Sequence, residues 1–136
     1  MTTNFEDIHA IQRLKHEYCY AIDDGRYEDW ASLFTEDGRF VRANGDTFVG
    51  HDELREFAEG GFHRAFECPA HIVTNPVIDV DGDEATGRWY LLCLHRTNAD
   101  EPGWVQARYD DAYRRVDDEW RIAEAAVTVG LRSHPD

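Results

Sequence analysis

The spacing of hydrophobic residues changes once along this chain of 136 residues, from a helical period to a strand-like alternation. Up to about residue 62, apolar residues recur three or four positions apart, as they do on one face of a helix. Turn residues then separate four stretches rich in Val, Ile, Thr, Trp and Tyr, at 71–80, 84–97, 104–117 and 120–131. Helices followed by a meander of long antiparallel strands predict an α+β fold, with the helices packed on one face of a strongly curved sheet.

The first half of the chain is predicted to open with two helices that form a hairpin. The first runs from about 4 to 23, because Thr3 and Glu6 form a capping-box pattern at its start and Gly25 supplies a left-handed stop at its end. A short second helix covers residues 27–34. The inward face of the first helix is predicted to hold Phe5, Ile8, Ile11, Leu14, Tyr18 and Ile22.

A small β-ribbon and a third helix are predicted between this hairpin and the long strands. The ribbon pairs residues 39–43 with 47–49 across Asn44-Gly45, which is a two-residue hairpin signal. The third helix begins at Asp52 and ends near Gly60-Gly61. Nothing in the sequence resembles a linker or a repeat, so residues 1–136 are predicted to form a single domain.

The charge balance excludes several classes of partner. Against 28 acidic residues stand only 14 basic ones, and a net charge of -14 opposes binding to nucleic acid or to anionic lipid. Thirteen of the basic residues are Arg and only Lys15 is Lys, a bias that together with the abundant acid indicates a high-salt, halophilic cytoplasm. No apolar run approaches 18 residues and the N-terminus lacks a signal-peptide pattern, so we expect a cytoplasmic protein with no membrane partner.

The three cysteines do not predict a disulfide framework or a zinc site. Cys19, Cys68 and Cys93 are odd in number and show no CxxC spacing. We expect reduced thiols in the core or in the wall of a pocket.

Two predicted strands each carry a histidine in an otherwise mostly apolar row. Because side chains alternate across a strand, one row is predicted to hold His71, Val73, Asn75 and Val77, and another Trp89, Leu91, Cys93 and His95. If both rows line a pocket on the concave side of the sheet, two imidazoles project into it and are suited to proton transfer. Taken singly, each histidine would more often be an ordinary core or surface residue.

A carboxylate is predicted close to these rows. Asp23 ends the first helix, on the pocket side if Tyr18 and Ile22 mark its buried stripe. A carboxylate beside the C-terminal carbonyls of a helix favours a partner such as an imidazole N–H. Taken alone, Asp23 and Asp24 would more often be simple turn residues before Gly25.

Several segments together resemble the SnoaL-like, NTF2-like superfamily over nearly the whole chain. They are YAIDDGRYEDWASLF at 20–34, Gly38, GHDEL at 50–54, HIVTN at 71–75, Ile78 and DGD at 81–83. Within the superfamily the pattern is most similar to the scytalone dehydratase-like and hexachlorocyclohexane dehydrochlorinase-like branch. The resemblance implies an NTF2-like (cystatin-like) cone, in which N-terminal helices pack on a curved mixed or antiparallel sheet and enclose a pocket.

The resemblance also implies roles for individual residues. Asp23 and His71 fall where that branch carries a catalytic dyad, and His95 matches the second catalytic histidine of the dehydratases. The tyrosines of the dehydratases are absent, since Ile22 precedes the aspartate and the neighbouring strand offers Phe40. Scytalone itself is therefore not implied as the substrate.

The function predicted from these residues is a cofactor-independent lyase or isomerase, of the dehydratase or dehydrohalogenase kind. His71, oriented by Asp23, would abstract a proton from a small hydrophobic substrate, cyclic or polyketide-like, and His95 would stabilise developing negative charge. Tyr109 stands where the dehydratases have an asparagine and offers a hydroxyl group. The residues expected to contact the substrate are Tyr109, Trp89, Cys93 and Tyr18.

Other readings of the same residues remain open. Two histidines and a carboxylate also form the facial triad of non-haem iron sites, although the resembling families are metal-free and no metal is predicted here. The fold also serves as a ligand-binding or oligomerisation domain, such as the β-type subunit of ring-hydroxylating dioxygenases. The outer face of the sheet carries Tyr90, Leu92 and Leu94, which favours a homo-oligomer, a dimer or, by resemblance, a trimer.

Overall fold

The computed structural model describes residues 4–62 and 67–134. Its helices are α1 (Phe5–Asp23), α2 (Tyr27–Ser32) and α3 (Gly50–Glu56), and α3 continues as a π-helical segment (Phe57–Phe62). Its strands are β1 (Phe34–Val41), β2 (Thr47–Val49), β3 (Glu67–Asp81), β4 (Glu84–Arg96), β5 (Pro102–Val116) and β6 (Glu119–Arg132). The predicted helix-then-strand order is confirmed.

The six strands form one sheet in the order β2-β1-β6-β5-β4-β3. Strands β3 to β6 form an antiparallel meander, as the alternating stretches predict, and β1 pairs antiparallel with β2. Between these two groups, β1 runs parallel to β6. The helices pack on this curved, mixed sheet, so the predicted α+β class is confirmed.

Helix α1 ends where the sequence predicts, and its last residue is therefore fixed in space. Gly25 adopts a left-handed φ of 73°, and the next N–H group, of Arg26, donates to the carbonyl oxygen of Ala21. At the other end Phe5 is 75% exposed, so its predicted place on the inward face is wrong. The predicted cap residue Thr3 lies outside the described residues.

Two predicted boundaries between the helices and the ribbon are wrong. Helix α2 ends at Ser32, and Phe34 opens β1, where it pairs with Ile122 of β6. The ribbon turn is a three-residue loop rather than a two-residue one, because Arg42 and Asp46 close it and Gly45 takes a left-handed φ of 94°.

An irregularity in β3 decides which of its side chains face the concave side of the sheet. In β3 the register shifts between Thr74 and Val77, where Asn75 adopts a positive φ of 57°. His71 and Val73 lie in the predicted row, but beyond the shift Val77 is 46% exposed. The predicted inward positions of Asn75 and Val77 are therefore wrong. The β4 row holds as predicted, because its residues alternate regularly between buried and exposed.

The hydrophobic core lies between α1, α2 and the concave face of the sheet. Its centre is a set of mutually packed rings that includes Tyr18, Trp30, Phe34 and Tyr109. Within the described ranges, none of the helices has the length and apolar character needed to cross a membrane.

Candidate active site

The carboxylate of Asp23 and the imidazole of His71 are in direct contact. Asp23 Oδ1 lies 2.6 Å from His71 Nδ1, and Asp23 Oδ2 accepts a hydrogen bond of 2.9 Å from the backbone N–H of His71. The side chain of His71 is 5% exposed and that of Asp23 is 19% exposed. An ionised carboxylate only accepts hydrogen bonds, so Nδ1 carries the shared proton and Nε2 is the basic nitrogen.

The fold brings these two residues together from distant parts of the sequence. Asp23 is the last residue of α1, and α1 packs on β3, which carries His71. Because the carboxylate holds both the ring and the backbone of His71, the ring cannot rotate without breaking one of the two bonds. This double contact fixes both the tautomer and the orientation of the imidazole.

His71 lies in the wall of a cavity of about 340 Å³ on the concave side of the sheet. The volume suits a small organic molecule. The described residues that line the cavity are Phe40, Arg42, Ala43, Asn44, Phe57, His71, Leu91, Cys93, Val105, Ala107, Tyr109, Val127, Val129 and Arg132. Its wall is therefore mostly apolar, and Asp23 lies behind His71 rather than in the wall.

Cys93 lines this cavity as a protonated thiol. Burial, together with the nearby Asp23 carboxylate, raises the pKa of Cys93 to about 12. A thiol with such a pKa is a poor nucleophile at neutral pH. Cys93 is thus part of an apolar wall, and Cys19 is likewise a buried thiol whose pKa burial raises to about 12. Both placements agree with the expectation of reduced thiols; the side chain of Cys68 lies outside the described residues.

Tyr109 reaches the cavity wall with Tyr18 behind it. The two hydroxyl groups lie 3.3 Å apart, and the rings meet edge to face with centroids 5.7 Å apart. Burial raises the pKa of both hydroxyls well above 10, so both are neutral donors. Of the pair, Tyr109 is the one that lines the cavity.

Two other predicted site residues lie elsewhere. Trp89 is buried, donates its indole N–H to the Tyr113 hydroxyl at 3.0 Å, and is not among the cavity-lining residues. His95 lies on the same face of β4 as Cys93, one inward position further along, and its ring packs over Gly103. The structure therefore brings Asp23 and His71 together and places His95 beyond the residues that line the cavity.

Sequence reasoning missed a buried ion pair beneath the cavity wall. Lys15 Nζ lies 2.9 Å from Asp111 Oδ2, and both side chains are fully buried. The ammonium group also lies 3.4 Å from the ring centroid of Tyr109 and 4.0 Å from that of Tyr18. Burial raises the pKa of Asp111, and Lys15 opposes that rise.

A signal for this pair was present in the sequence. Lys15 lies four residues after Ile11 and three before Tyr18, which places it on the inward face of α1. Asp111 lies between Tyr109 and Tyr113 on the inward row of β5. Opposite charges at two inward positions predict a buried pair, because neither charge can be buried alone.

The arrangement of the acidic, histidine and cysteine side chains bears on the metal-binding interpretation of Asp23, His71 and His95. Within residues 4–62 and 67–134, no three His, Cys, Asp or Glu side chains converge as ligands would. The facial-triad reading of Asp23, His71 and His95 therefore finds no support in the arrangement of these side chains.

The architecture is a cystatin-like fold, which the chain shares with an NTF2-like protein from Novosphingobium aromaticivorans at 24% identity and a TM-score of 0.83, over 92% of this chain and 82% of that one. Residues 3–126 match the model of the SnoaL-like domain family, and the chain belongs to that family.

Solved structures of similar proteins cover almost the whole chain. Rv3472 of Mycobacterium tuberculosis, a protein of unknown function, is 32% identical with a TM-score of 0.83, over 93% of this chain and 73% of that one. A candidate scytalone dehydratase from Novosphingobium aromaticivorans is 26% identical with a TM-score of 0.86, over 96% and 88% of the two chains. A hexachlorocyclohexane dehydrochlorinase from Novosphingobium barchaimii shares the fold, at 19% identity and a TM-score of 0.88, over 95% and 90% of the chains.

Proposed function

We propose that this protein is a cofactor-independent lyase or isomerase that removes a proton from a small hydrophobic substrate. The observation that carries the proposal is the contact of 2.6 Å between Asp23 and His71 at the wall of an apolar cavity. The similarity to a candidate scytalone dehydratase supports elimination chemistry. A cyclic or polyketide-like body suits a cavity lined by aromatic and aliphatic side chains.

His71 is the general base in this proposal and Asp23 is its positioning residue. With the proton of Nδ1 held by Asp23, Nε2 accepts a proton from a carbon atom of the substrate. The carboxylate stabilises the imidazolium ion that forms, as in a Ser-His-Asp triad. The apolar wall excludes water, so these interactions are stronger than they would be in solution.

Negative charge that develops on the substrate needs a hydrogen-bond donor. Tyr109 lines the cavity and carries a buried, neutral hydroxyl, which lies next to that of Tyr18, and we assign it this role. The resemblance predicts that His95 stabilises this negative charge, and that role stays a prediction. We prefer Tyr109 because it lines the cavity, whereas His95 does not. Cys93 shapes the wall of the site, and Tyr18 contacts the lining residue Tyr109 from behind. Trp89 contacts Tyr113 and has no direct role at the wall.

The test is a screen for elimination and isomerisation with a matched pair of histidine variants. Small carbon acids with a hydroxyl or halide leaving group, and others with an enolisable carbonyl, are incubated in deuterated water and analysed by mass spectrometry. We expect turnover by the wild type and a loss of about 10²- to 10⁴-fold in His71→Ala. His9→Ala, on the exposed side of α1, should behave as the wild type. A His71→Ala variant with full activity would disprove the assignment of the base.

A second candidate function is non-catalytic binding of a small apolar ligand in the same cavity. The volume and the apolar wall favour it as much as they favour catalysis. The buried contact between Asp23 and His71 distinguishes the two, because a simple apolar binding site has no use for an oriented base. Tight binding without turnover across the whole panel would favour this alternative, or a role like that of a dioxygenase β-type subunit.

We further propose that the protein works as a homo-oligomer, a dimer or a trimer, in a halophilic cytoplasm. Five apolar side chains on the outer face of β3, β4 and β5 are each between 39% and 44% exposed: Ile72, Tyr90, Leu92, Leu94 and Trp104. Ile72 pairs with Leu92 and Leu94 with Trp104, so these side chains form one continuous apolar surface. A surface of this kind on a charged protein favours association with a second copy.

A further inference from the structure

Two arginines lie among the residues that line the cavity. Arg42 directly follows β1, and Arg132 is the last residue of β6. Arg42 is half-buried and Arg132 is exposed, so they mark the mouth of the cavity, whereas the side chain of His71 is almost fully buried in its wall. The cavity therefore has a basic end that is open to solvent and a mostly apolar interior.

A β-bulge directs Arg132 toward the cavity. Val127 and Val129 line the cavity as alternate residues of β6, and regular alternation would continue with Leu131. The register instead shifts between the pairs Ala107–Val129 and Gln106–Leu131, which leaves Gly130 as an extra residue. Leu131 is consequently 65% exposed, and Arg132 takes the next inward position.

The extra residue of the bulge, Gly130, lies directly against the side chain of Gln106. A Cβ atom added at Gly130 would collide with the side-chain oxygen of Gln106. Arg42 is also held near the cavity, since its guanidinium lies 5.6 Å from the centroid of the Phe57 ring, which is itself part of the wall. The local structure thus keeps both cations at the cavity.

The charge of this lining is opposite to that of the protein. The chain has 28 acidic and 14 basic residues, yet the described residues of the lining include two arginines and no aspartate or glutamate. Arg42 also pairs with Asp46 at the surface, with 3.8 Å between Nη1 and Oδ2, and an exposed pair of this length is weak enough for a ligand carboxylate to replace. A concave site whose lining carries one sign of charge concentrates ligands of the opposite sign. In an acidic protein, two cations at the mouth would offset the repulsion that an anionic ligand meets.

We propose that the substrate is an organic acid, with an apolar body that enters the cavity and a carboxylate that Arg42 and Arg132 hold at the mouth. Arginine binds carboxylates through paired N–H donors, which fixes the orientation of the ligand as well as its position. The acid end would stay at the mouth while a carbon atom of the apolar body reaches His71. The inference rests on the proposed function for the reaction, but it concerns binding and is tested separately from turnover.

The test compares two probes that differ only in charge, 2-naphthoate and 2-naphthamide, by isothermal titration calorimetry. We expect the wild type to bind the naphthoate at least about tenfold more tightly than the naphthamide. A hydrogen bond to a charged group in a partly buried site contributes a difference of that size. In Arg42→Gln/Arg132→Gln the two affinities should become equal, and high salt should reduce the preference of the wild type. The conservative variant Arg42→Lys/Arg132→Lys should keep part of the preference, because the charge remains.

The control variant Arg13→Gln/Arg88→Gln makes the same change of net charge at exposed positions away from the cavity, and it should bind both probes as the wild type does. Equal affinities of the wild type for the two probes, or no measurable binding of naphthoate, would overturn the proposal. An equal loss of preference in the control would also overturn it, by showing that net charge alone is responsible. The calorimetric measurement needs no turnover, so a failure of the proposed catalysis would not be mistaken for a failure of this inference.

Discussion

Lys15, the single lysine of the chain, is buried behind the residues that line the cavity. Lys15 and Asp111 are fully buried, and the ammonium group lies against the ring of Tyr109, which lines the cavity. Asp111 Oδ2 also accepts a hydrogen bond of 2.7 Å from the Tyr113 hydroxyl. The pair therefore connects α1 to β5 beneath the wall, at the cost of removing two charges from water.

Removing one partner of this pair should destabilise the protein strongly. Lys15→Met leaves the Asp111 carboxylate buried without its cation, so we expect the free energy of unfolding to fall by about 3–5 kcal/mol. The double variant Lys15→Met/Asp111→Asn removes both charges but keeps an acceptor for Tyr113, and it should recover part of that loss. Urea denaturation measures both values, and Arg13→Met, at an exposed position, should change stability by less than about 0.5 kcal/mol. A single variant as stable as the wild type would contradict a structural role for the pair.

The buried thiols predict a loss of stability in alkaline solution. In the unfolded chain they deprotonate near pH 9, whereas burial keeps the pKa of Cys19 and Cys93 at about 12 in the folded protein. Between these values the folded state holds more protons, so the free energy of unfolding falls as pH rises, by up to about 1.4 kcal/mol per pH unit for each thiol. Cys93→Ala should show a shallower fall above pH 9 in denaturant titrations. An unchanged pH dependence in that variant would show that the thiol is not shielded as described.

At the residue scale, the local sequence pattern predicted the positions of Asp23 and His71 in the fold but not those of every residue around them. The end of α1 was predictable because Gly25 marks it, and His71 because strand alternation places it inward. The placement of His95 beyond the cavity lining depends on how far β4 continues past Cys93, and side-chain alternation carries no information on that distance. Arg132 was not predictable for a similar reason, since the bulge that directs it depends on the pairing of β6 with β5.

At the scale of elements, strand β1 completes the wall of the cavity by pairing with β6. The two strands run parallel, with an irregular register between Phe34 and Arg39. Gly38 lies in this interval, and a Cβ atom added there would come within 2.7 Å of Phe34 Cβ and 3.1 Å of the Ile122 carbonyl oxygen. The close contact positions Phe40, which lines the cavity.

Gly38→Ala should therefore destabilise the protein, because the added Cβ collides with Phe34 and Thr35 of β1 itself and crowds the Ile122 carbonyl of β6. A matched glycine should tolerate the same change. We expect a loss of about 1–3 kcal/mol for Gly38→Ala. At Gly60, an added Cβ meets no described atom within 4 Å, so Gly60→Ala should leave stability unchanged or raise it slightly. Thermal melts of the two variants compare them directly, and equal melting temperatures would contradict the close approach.

Parallel pairing of this kind explains why the first half of the fold was harder to predict than the second. In the meander each strand pairs with its neighbour in sequence, and turns such as Asp117-Asp118, both with positive φ, mark the boundaries locally. The parallel partner of β1 is β6, whose paired residues lie 85 to 88 positions further along the chain, and no local pattern encodes that pairing. Phe34 accordingly looks helical in sequence but opens a strand.

At the scale of the whole molecule, the acidic charge and the outer apolar face act in opposite directions. A net charge of -14 repels a second copy, and the continuous surface of Ile72, Leu92, Leu94 and Trp104 favours one. Salt screens the repulsion and leaves the apolar contact intact. Association should therefore become stronger as the salt concentration rises.

Light scattering after size-exclusion chromatography tests this balance. We expect a dimer or trimer in high salt, and partial dissociation in low salt. Leu92→Glu places a charge at the centre of the surface and should give a monomer with an unchanged circular dichroism spectrum. Thr128→Glu, an exposed position on β6 outside that surface, should leave the assembly intact. A wild type that stays monomeric at every salt concentration would contradict the proposed association.

The most direct test of the proposed base compares two neighbouring aspartates at the end of α1. Asp23→Asn replaces the carboxylate that holds the His71 imidazole with an amide, whereas Asp24→Asn makes the same change at an exposed residue that pairs with Arg26. With a substrate found in the screen, we predict that kcat falls by about 10²- to 10⁴-fold in Asp23→Asn and is unchanged in Asp24→Asn, with both variants folded. Equal values of kcat in Asp23→Asn and the wild type would contradict the proposal that an oriented imidazole removes the proton.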